Sequence, residues 1–355
     1  MLIIDRYITR QVLLPTVVGL ALLLLLFTAF TSVGLLRSAA LGNLPARDVL
    51  ALVVAHDLSA LEVLLPSAFF AAVVMVMSTW HRDGEPYALY ASGARPDRLS
   101  RPVWLLAGGV ALCVLLLTVY GRPYSYQLRY DISERAANFT SANMESQRFY
   151  DWDRDFVIQA QQVRREEPNL VGVFAETRRT GQTLVVRAAS AQISELDENR
   201  VQRIEFRDGT SYQIGNATNP DRITRFSRLI YYAQRPATDA QTKRRARTTG
   251  DLFSAEARKD IAELQWRFCL PLVALMLALI GIELARLKPK QSPYPRFAVA
   301  ILLYVAVFNL ANLSLSAVET GLLPRVPGMF SAVLLMLVVY LGLRRVPALT
   351  LKTPP

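Results

Sequence analysis

Asp57 and Glu62 interrupt an apolar run that extends from Val49 to Thr79. A carboxylate in such a run is costly if it faces hydrocarbon, so both should face a helix bundle or a polar interface. There they can relay protons or line a path for a polar cargo. In a later apolar run, Asn309 and Asn312 can hydrogen-bond between helices or touch a cargo. Arg37 closes the first apolar run, where it can pair with a lipid phosphate or simply anchor the end of a span. A fourth acid, Glu85, lies in a polar island, WHRDGEPYALYASGARPDRLSR, between two apolar runs. Asp83 can cap a helix there, Glu85 and Pro86 fall in its first turn, and Gly93 offers a stop, so a short helix is expected over 83–93. A carboxylate in a first turn suits the positive helix end and can receive a basic partner residue. Tyr87, Leu89 and Tyr90 on the same helix can fill a partner's groove. Set between two spans, such a helix can carry force from a soluble partner into the membrane.

Other chemistry is missing from the sequence. No G-x-x-x-x-G-K-[ST] string occurs, so no P-loop is expected. His56 and His81 are the only histidines, too few for a histidine triad or a His-rich metal centre. Asp151, Asp153 and Asp155 form a D-x-D-x-D without the Gly and Glu of a calcium loop, and read as a surface strand or turn. Cys113 and Cys269 both fall in apolar runs and read as packed residues rather than a disulfide. The chain is therefore not expected to be an enzyme, and no cofactor is expected in it. Any work must be driven by a gradient or a partner.

These residues must be positioned by membrane spans. The 355 residues are 52% hydrophobic, gathered in blocks, and the net charge of +11 comes largely from loops beside those blocks rather than from a nucleic-acid-binding signature. Spans are expected near 12–36, 58–79, 103–120, 268–285, 297–318 and 329–343, with transmembrane bundles over 1–121 and 251–355. Alternate loops carry thirteen Lys and Arg against three, which places both termini and Glu85 in the cytoplasm and the long insert outside. Within 122–250, strands are expected over 156–163, 170–176, 183–193, 201–206, 211–214 and 223–233, with Asp208-Gly209 as a hairpin turn. This suggests a small antiparallel sandwich or jelly roll. Residues 236–250 read as a flexible basic tether, and Asp251 as the cap of a helix continuing into the fourth span. The fold class is a six-span α-helical membrane protein with an extracytoplasmic antiparallel β domain between spans three and four.

Several strings resemble the LptF/LptG permeases of the bacterial lipopolysaccharide exporter. IIDRYITRQVL at 3–13 is similar to that family's N-terminal pattern, with Gln11 where Glu is usual. Leu65-Pro66, the coupling-helix string GEPYALYASG at 84–93, and FRDGTSYQIG at 206–215 also resemble it. AELQWRFCLPLVALMLAL at 262–279, with LLYVAVFNLANL and ETGLLP after it, resembles the same family most specifically. In IELARLKPKQSPYPR at 282–296, Glu283 occupies a place where the family has proline.

The resemblance implies a β-jelly-roll domain in the periplasm and a bacterial inner-membrane location. It implies a half-transporter that pairs with an LptG-like chain on an LptB-like ATPase dimer, which would hold the ATP and magnesium. The cargo would be lipopolysaccharide, passed to an LptC-like jelly-roll protein that begins a bridge to the outer membrane; nucleic acid would not be a partner. Glu85, Tyr87, Leu89 and Tyr90 would couple to the ATPase, and Arg37, Asp57, Glu62 and Asn309 would border the lipid path. Two other classes fit the residues alone: a proton-driven transporter using Asp57 and Glu62, and a membrane sensor with an external ligand-binding domain.

Overall fold

The computed structural model describes residues 3–40, 44, 46–91, 96–137, 146, 149–153, 156–164, 170–179, 182–196, 201–214, 221–234, 240–286 and 291–345. In chain order come α1 (Ile3–Ala40), α2 (Ala46–Asp83), α3 (Glu85–Ala91), α4 (Pro96–Leu116), a π-helical turn (Leu117–Gly121) and α5 (Arg122–Ala137). Six strands follow: β1 (Phe149–Asp153), β2 (Phe156–Val163), β3 (Leu170–Arg179), β4 (Gln182–Leu196), β5 (Val201–Ile214) and β6 (Arg222–Gln234). The chain then forms α6 (Ala240–Arg245), α7 (Thr249–Phe253), α8 (Arg258–Leu284), α9 (Tyr294–Thr320) and α10 (Phe330–Arg345). Two compact units emerge, one of residues 1–29, 55–127 and 244–355, the other of residues 30–54 and 128–243.

Among the described residues, five helical stretches are long and apolar enough to cross a membrane: Asp5–Ala40, Arg47–Asp83, Ser100–Arg135, Arg258–Leu284 and Tyr294–Thr320. The expected sixth span corresponds to α10. Its 16 residues reach only about 24 Å at 1.5 Å per residue, short of a hydrocarbon core of about 30 Å. α8 forms the centre of the helical unit. Its Trp266, Leu270, Val273, Leu277 and Ile280 pack with Phe70 and Val74 of α2, Val114 of α4, Val307 and Ala311 of α9, and Met336 and Tyr340 of α10. Gly281 permits the closest of these contacts, since a Cβ there would lie 3.1 Å from the Phe70 ring.

Two of the prolines inside these helices, Pro271 and Pro66, have a hydroxyl from another segment bonded to the helix backbone beside them. Pro271 cannot donate to the carbonyl of Arg267, which instead accepts from Thr118 Oγ1 in the π turn at 2.8 Å. Pro66 cannot donate to Glu62, and the adjacent carbonyl of Val63 accepts from Tyr304 Oη of α9 at 3.1 Å.

The strands form a single antiparallel sheet in the order β1-β2-β3-β4-β5-β6. A jelly roll sets non-consecutive strands side by side, so the expected topology is corrected: successive hairpins give a meander, with only short loops to close. The Asp208-Gly209 turn is also corrected. β5 runs straight through it, with Asp208 at φ 51°, a conformation that Asp tolerates better than most residues. The pairing lapses in a single row crossing five strands, at Gln161, Gly172 (φ 62°), Ala189, Asp208 and Ser227. The buried face switches parity there: Val186 and Ala188 point inward before the row on β4, Ala191 and Ile193 after it. This crease bends the sheet, and Phe156 of β2 stacks on Tyr231 of β6 with ring centroids 4.6 Å apart.

Gly209 lies beside the crease because a Cβ there would run into the carbonyl oxygen of Arg187 and the Phe226 ring. Gly209→Ala is expected to destabilise the sheet by about 1–3 kcal/mol, by overpacking. Amide hydrogen exchange in β4–β6 should accelerate accordingly, and wild-type exchange would remove the close contact as the reason for glycine.

On the opposite face, Glu205 alternates with buried Ile204 and Phe206 and is covered by Arg228, Arg207 and Arg203, at 2.8, 3.1 and 3.3 Å. The hydrogen bond from Arg228, then that from Arg207, hold its carboxyl below the usual glutamate range. The stabilisation is therefore present above the ordinary carboxylate pKa of about 4.3 and is lost as pH falls through the lower folded value. Protection factors in β5 and β6, corrected for intrinsic exchange, should drop below roughly pH 4. Glu205→Gln should flatten that response; an unchanged acid response in this variant would assign it to other groups.

Candidate functional site

Two polar features stand out in the helical unit: the break between α2 and α4, and a buried ion cluster. At the break, Asp83 is the last residue of α2, where it accepts from Arg82 Nε at 2.8 Å, and so is not the cap expected for α3. Gly84 makes the break instead. Its φ of 79° turns the chain, and its carbonyl accepts from the backbone N–H groups of Tyr87 and Ala88 at 3.1 and 3.3 Å. The helix spans Glu85–Ala91, and Gly93, expected as its stop, lies outside the described residues.

α3 is anchored on one side and open on the other. Pro86 is buried, and Leu89 packs on a core of Ile8, Val12, Phe69, Trp80, Val103, Ile282 and their neighbours. Tyr87 is 43% exposed and Glu85 is half-buried in the first turn. Tyr90 lies on the same helix, its side chain outside the described ones. Leu89 thus seats the helix, while Tyr87 is exposed and Glu85 half-buried in its first turn. The N-terminus of the chain joins this platform: Tyr7 stacks on Trp80 at 5.8 Å, and Trp80 Nε1 donates to Gln11 Oε1 at 2.7 Å.

The second feature surrounds Glu62, which is 4% exposed. Arg122, at the first residue after the π turn, bonds Glu62 of α2. It also grips Glu263 of α8 with two hydrogen bonds, Nε to Oε1 at 2.7 Å and Nη2 to Oε2 at 3.2 Å. Its guanidinium also lies over the rings of Tyr126 and Trp266, 5.4 and 5.6 Å from their centroids. Arg267, fully buried one turn beyond Glu263, lies 3.5 Å from it and donates to Thr249 Oγ1 at 2.7 Å. Its Nη2 donates to the carbonyls of Arg245 and Arg247 at 3.1 and 2.9 Å. Two acids and two arginines thus balance in charge within the buried cluster, as buried charges must.

Over 240–250 this cluster corrects the reading of a flexible tether; residues 236–239 lie outside the described ones. Arg244 pairs with Glu319 at 2.9 Å, Arg247 with Asp260 at 2.9 Å, and Arg245 donates to Tyr126 Oη at 2.9 Å. The cap of the next helix is Thr248, which accepts from the backbone N–H of Asp251. That helix, α7, ends at Phe253, and a separate helix α8 begins at Arg258.

The other candidate residues lie apart from this cluster. Asp57 accepts from Thr28 Oγ1 of α1 at 2.8 Å, so the described contacts tie it and Glu62 to different helices. Arg37 is exposed in the last turn of α1. Asn309 and Asn312 are exposed on α9, and their side-chain amides donate to the carbonyls of Val305 and Phe308, both at 2.8 Å. Those bonds are made within the helix. Sequence reading missed Arg122, Glu263 and Arg267 as a group; the one signal was Glu263 and Arg267 sharing a helix face four residues apart.

A family model described as "Lipopolysaccharide export system permease LptF/LptG" matches residues 6–345. The chain is 27% identical over 316 residues to the lipopolysaccharide export system permease protein LptF of Escherichia coli (strain K12), covering 86% of this chain and 85% of that protein. The LptF of Shigella flexneri matches with the same identity and the same coverage.

Proposed function

The chain belongs to the LptF/LptG family of lipopolysaccharide export permeases, and we propose that it is one half of an ABC transporter that extracts lipopolysaccharide from the inner membrane. In this reading it pairs with an LptG-like chain, and an LptB-like ATPase dimer beneath both supplies ATP and magnesium. The β domain stands in the periplasm and passes lipopolysaccharide to an LptC-like protein. The observation that carries the reading is α3: a short helix set off by Gly84, seated by Pro86 and Leu89, presenting Glu85 and Tyr87 between two membrane-length helices. A helix seated this firmly moves with the spans it packs on, so a push from an ATPase reaches them directly. Glu62, Arg122 and Glu263 then act as the rigid joint of α2, α5 and α8, and Arg37, Asp57 and Asn309 border the lipid path.

The test is co-expression with candidate LptG-like and LptB-like chains. The ATPase should co-purify, and proteoliposomes of the complex should release lipopolysaccharide to an LptC-like acceptor only with ATP. Release that follows a proton gradient without the ATPase would move the chain to the proton-driven class; stable assembly with no release under either condition would favour a sensor.

A further inference from the structure

Arg207 of β5 and Arg228 of β6 are direct cross-strand partners, an arrangement that repels. Arg203 adds a third guanidinium four residues from Arg207 along β5 and on the same face. All three converge on Glu205, and each remains about half exposed, at 49%, 58% and 50% for Arg207, Arg228 and Arg203. Among the described residues Glu205 is their one acidic partner, which leaves an excess of two positive charges on a small area. Each guanidinium has five N–H donors, and only one of each is engaged with Glu205. Glu205 is itself held by the sheet, so it fixes the three arginines as a preformed cradle rather than neutralising them. Tyr232 lies directly opposite Arg203, hence on the same face, and is 64% exposed.

We propose that this face of β5 and β6 binds a phosphorylated sugar, the phosphate on Arg203, Arg207 and Arg228 and the sugar ring against Tyr232. A phosphate monoester carries about −1.5 to −2 charges with three acceptor oxygens, which matches the excess charge and the free donors. An aromatic face beside an anion cradle suits a ring of C–H groups. The site lies on the face opposite the sheet's apolar core and needs neither ATP nor a partner chain, so it stands or falls apart from the transport reading.

The test is titration of the detergent-solubilised full chain with glucose 1-phosphate, followed by phosphorus NMR, with inorganic phosphate and glucose alongside. Glucose 1-phosphate should bind more tightly than phosphate, and glucose not at all. Arg207→Gln and Arg228→Gln should each weaken binding by about tenfold, the loss of one charge-assisted bond. Arg207→Lys, which keeps the charge, should retain part of the affinity and so separate charge from folding. Tyr232→Ala should lower glucose 1-phosphate binding to the level of inorganic phosphate. No saturable binding, or wild-type affinity in both Arg→Gln variants, would overturn the site; equal affinity for phosphate and glucose 1-phosphate would overturn the sugar assignment. Purified lipopolysaccharide displacing the probe would assign a lipid-borne source, and failure to displace it would exclude that source in favour of a soluble sugar phosphate.

Discussion

Arg122→Met is expected to be among the most damaging substitutions in the chain. It removes the one cation that bonds Glu62 and Glu263 together, leaving two buried carboxylates, of which Glu263 keeps Arg267 at 3.5 Å. Breaking a buried pair from one side costs about 3–5 kcal/mol, because the remaining charge is desolvated and unpaired. In an apolar helical unit, water cannot repair the loss cheaply. Glu62→Met/Arg122→Met should recover most of the stability, since it removes one charge of each sign and leaves the Glu263–Arg267 pair intact. Thermal unfolding of the full chain in detergent reads both effects. A single variant as stable as wild type, or a double variant as damaged as the single, would show that the four charges do not act as a unit.

Glu85→Lys is expected to disconnect ATP hydrolysis from lipid release. The residue sits in the first turn of α3, where a carboxylate complements the helix N-terminus and a lysine opposes it by a few tenths of a kcal/mol. That local penalty is small, and the membrane helices should remain intact because α3 is seated through Pro86 and Leu89. The larger effect falls on the partner: a basic groove that accepts Glu85 would meet a like charge, at several kcal/mol. Co-purification of the ATPase should fall by an order of magnitude or more. Release per ATP hydrolysed should fall with it, and Glu85→Gln should lie between. Wild-type assembly and release in Glu85→Lys would leave α3 as a structural turn.

The long helices were legible because apolar runs of 20 or more residues admit few alternatives. β2, β3, β4 and β6 were legible from their alternation, to within a few residues. The errors share a cause. Asp208-Gly209 carries a strong local turn signal, but what selects glycine there is the approach of Arg187 and Phe226 from neighbouring strands. Asp83 is a good cap by type, yet Gly84 decides the break because only the backbone there takes a positive φ. The ion cluster was hidden for the same reason. Arg122 meets partners 60 and 141 residues away, and no local pattern announces such a meeting. Thr118 gave no sign that it serves a carbonyl exposed by Pro271.

The π turn at Leu117–Gly121 bears on how the gene can change length. A π turn holds one residue more than an α turn, and each residue advances the helix by about 100°. Deleting one codon within 117–121 would restore regular α-helix and swing Arg122 away from Glu62 and Glu263, while drawing Thr118 off the carbonyl of Arg267. Inserting one would misphase the same residues in the other sense. Substitutions can drift through this stretch, but its number of residues cannot. Natural variation here should therefore be free of single-residue gaps, even where the side chains differ.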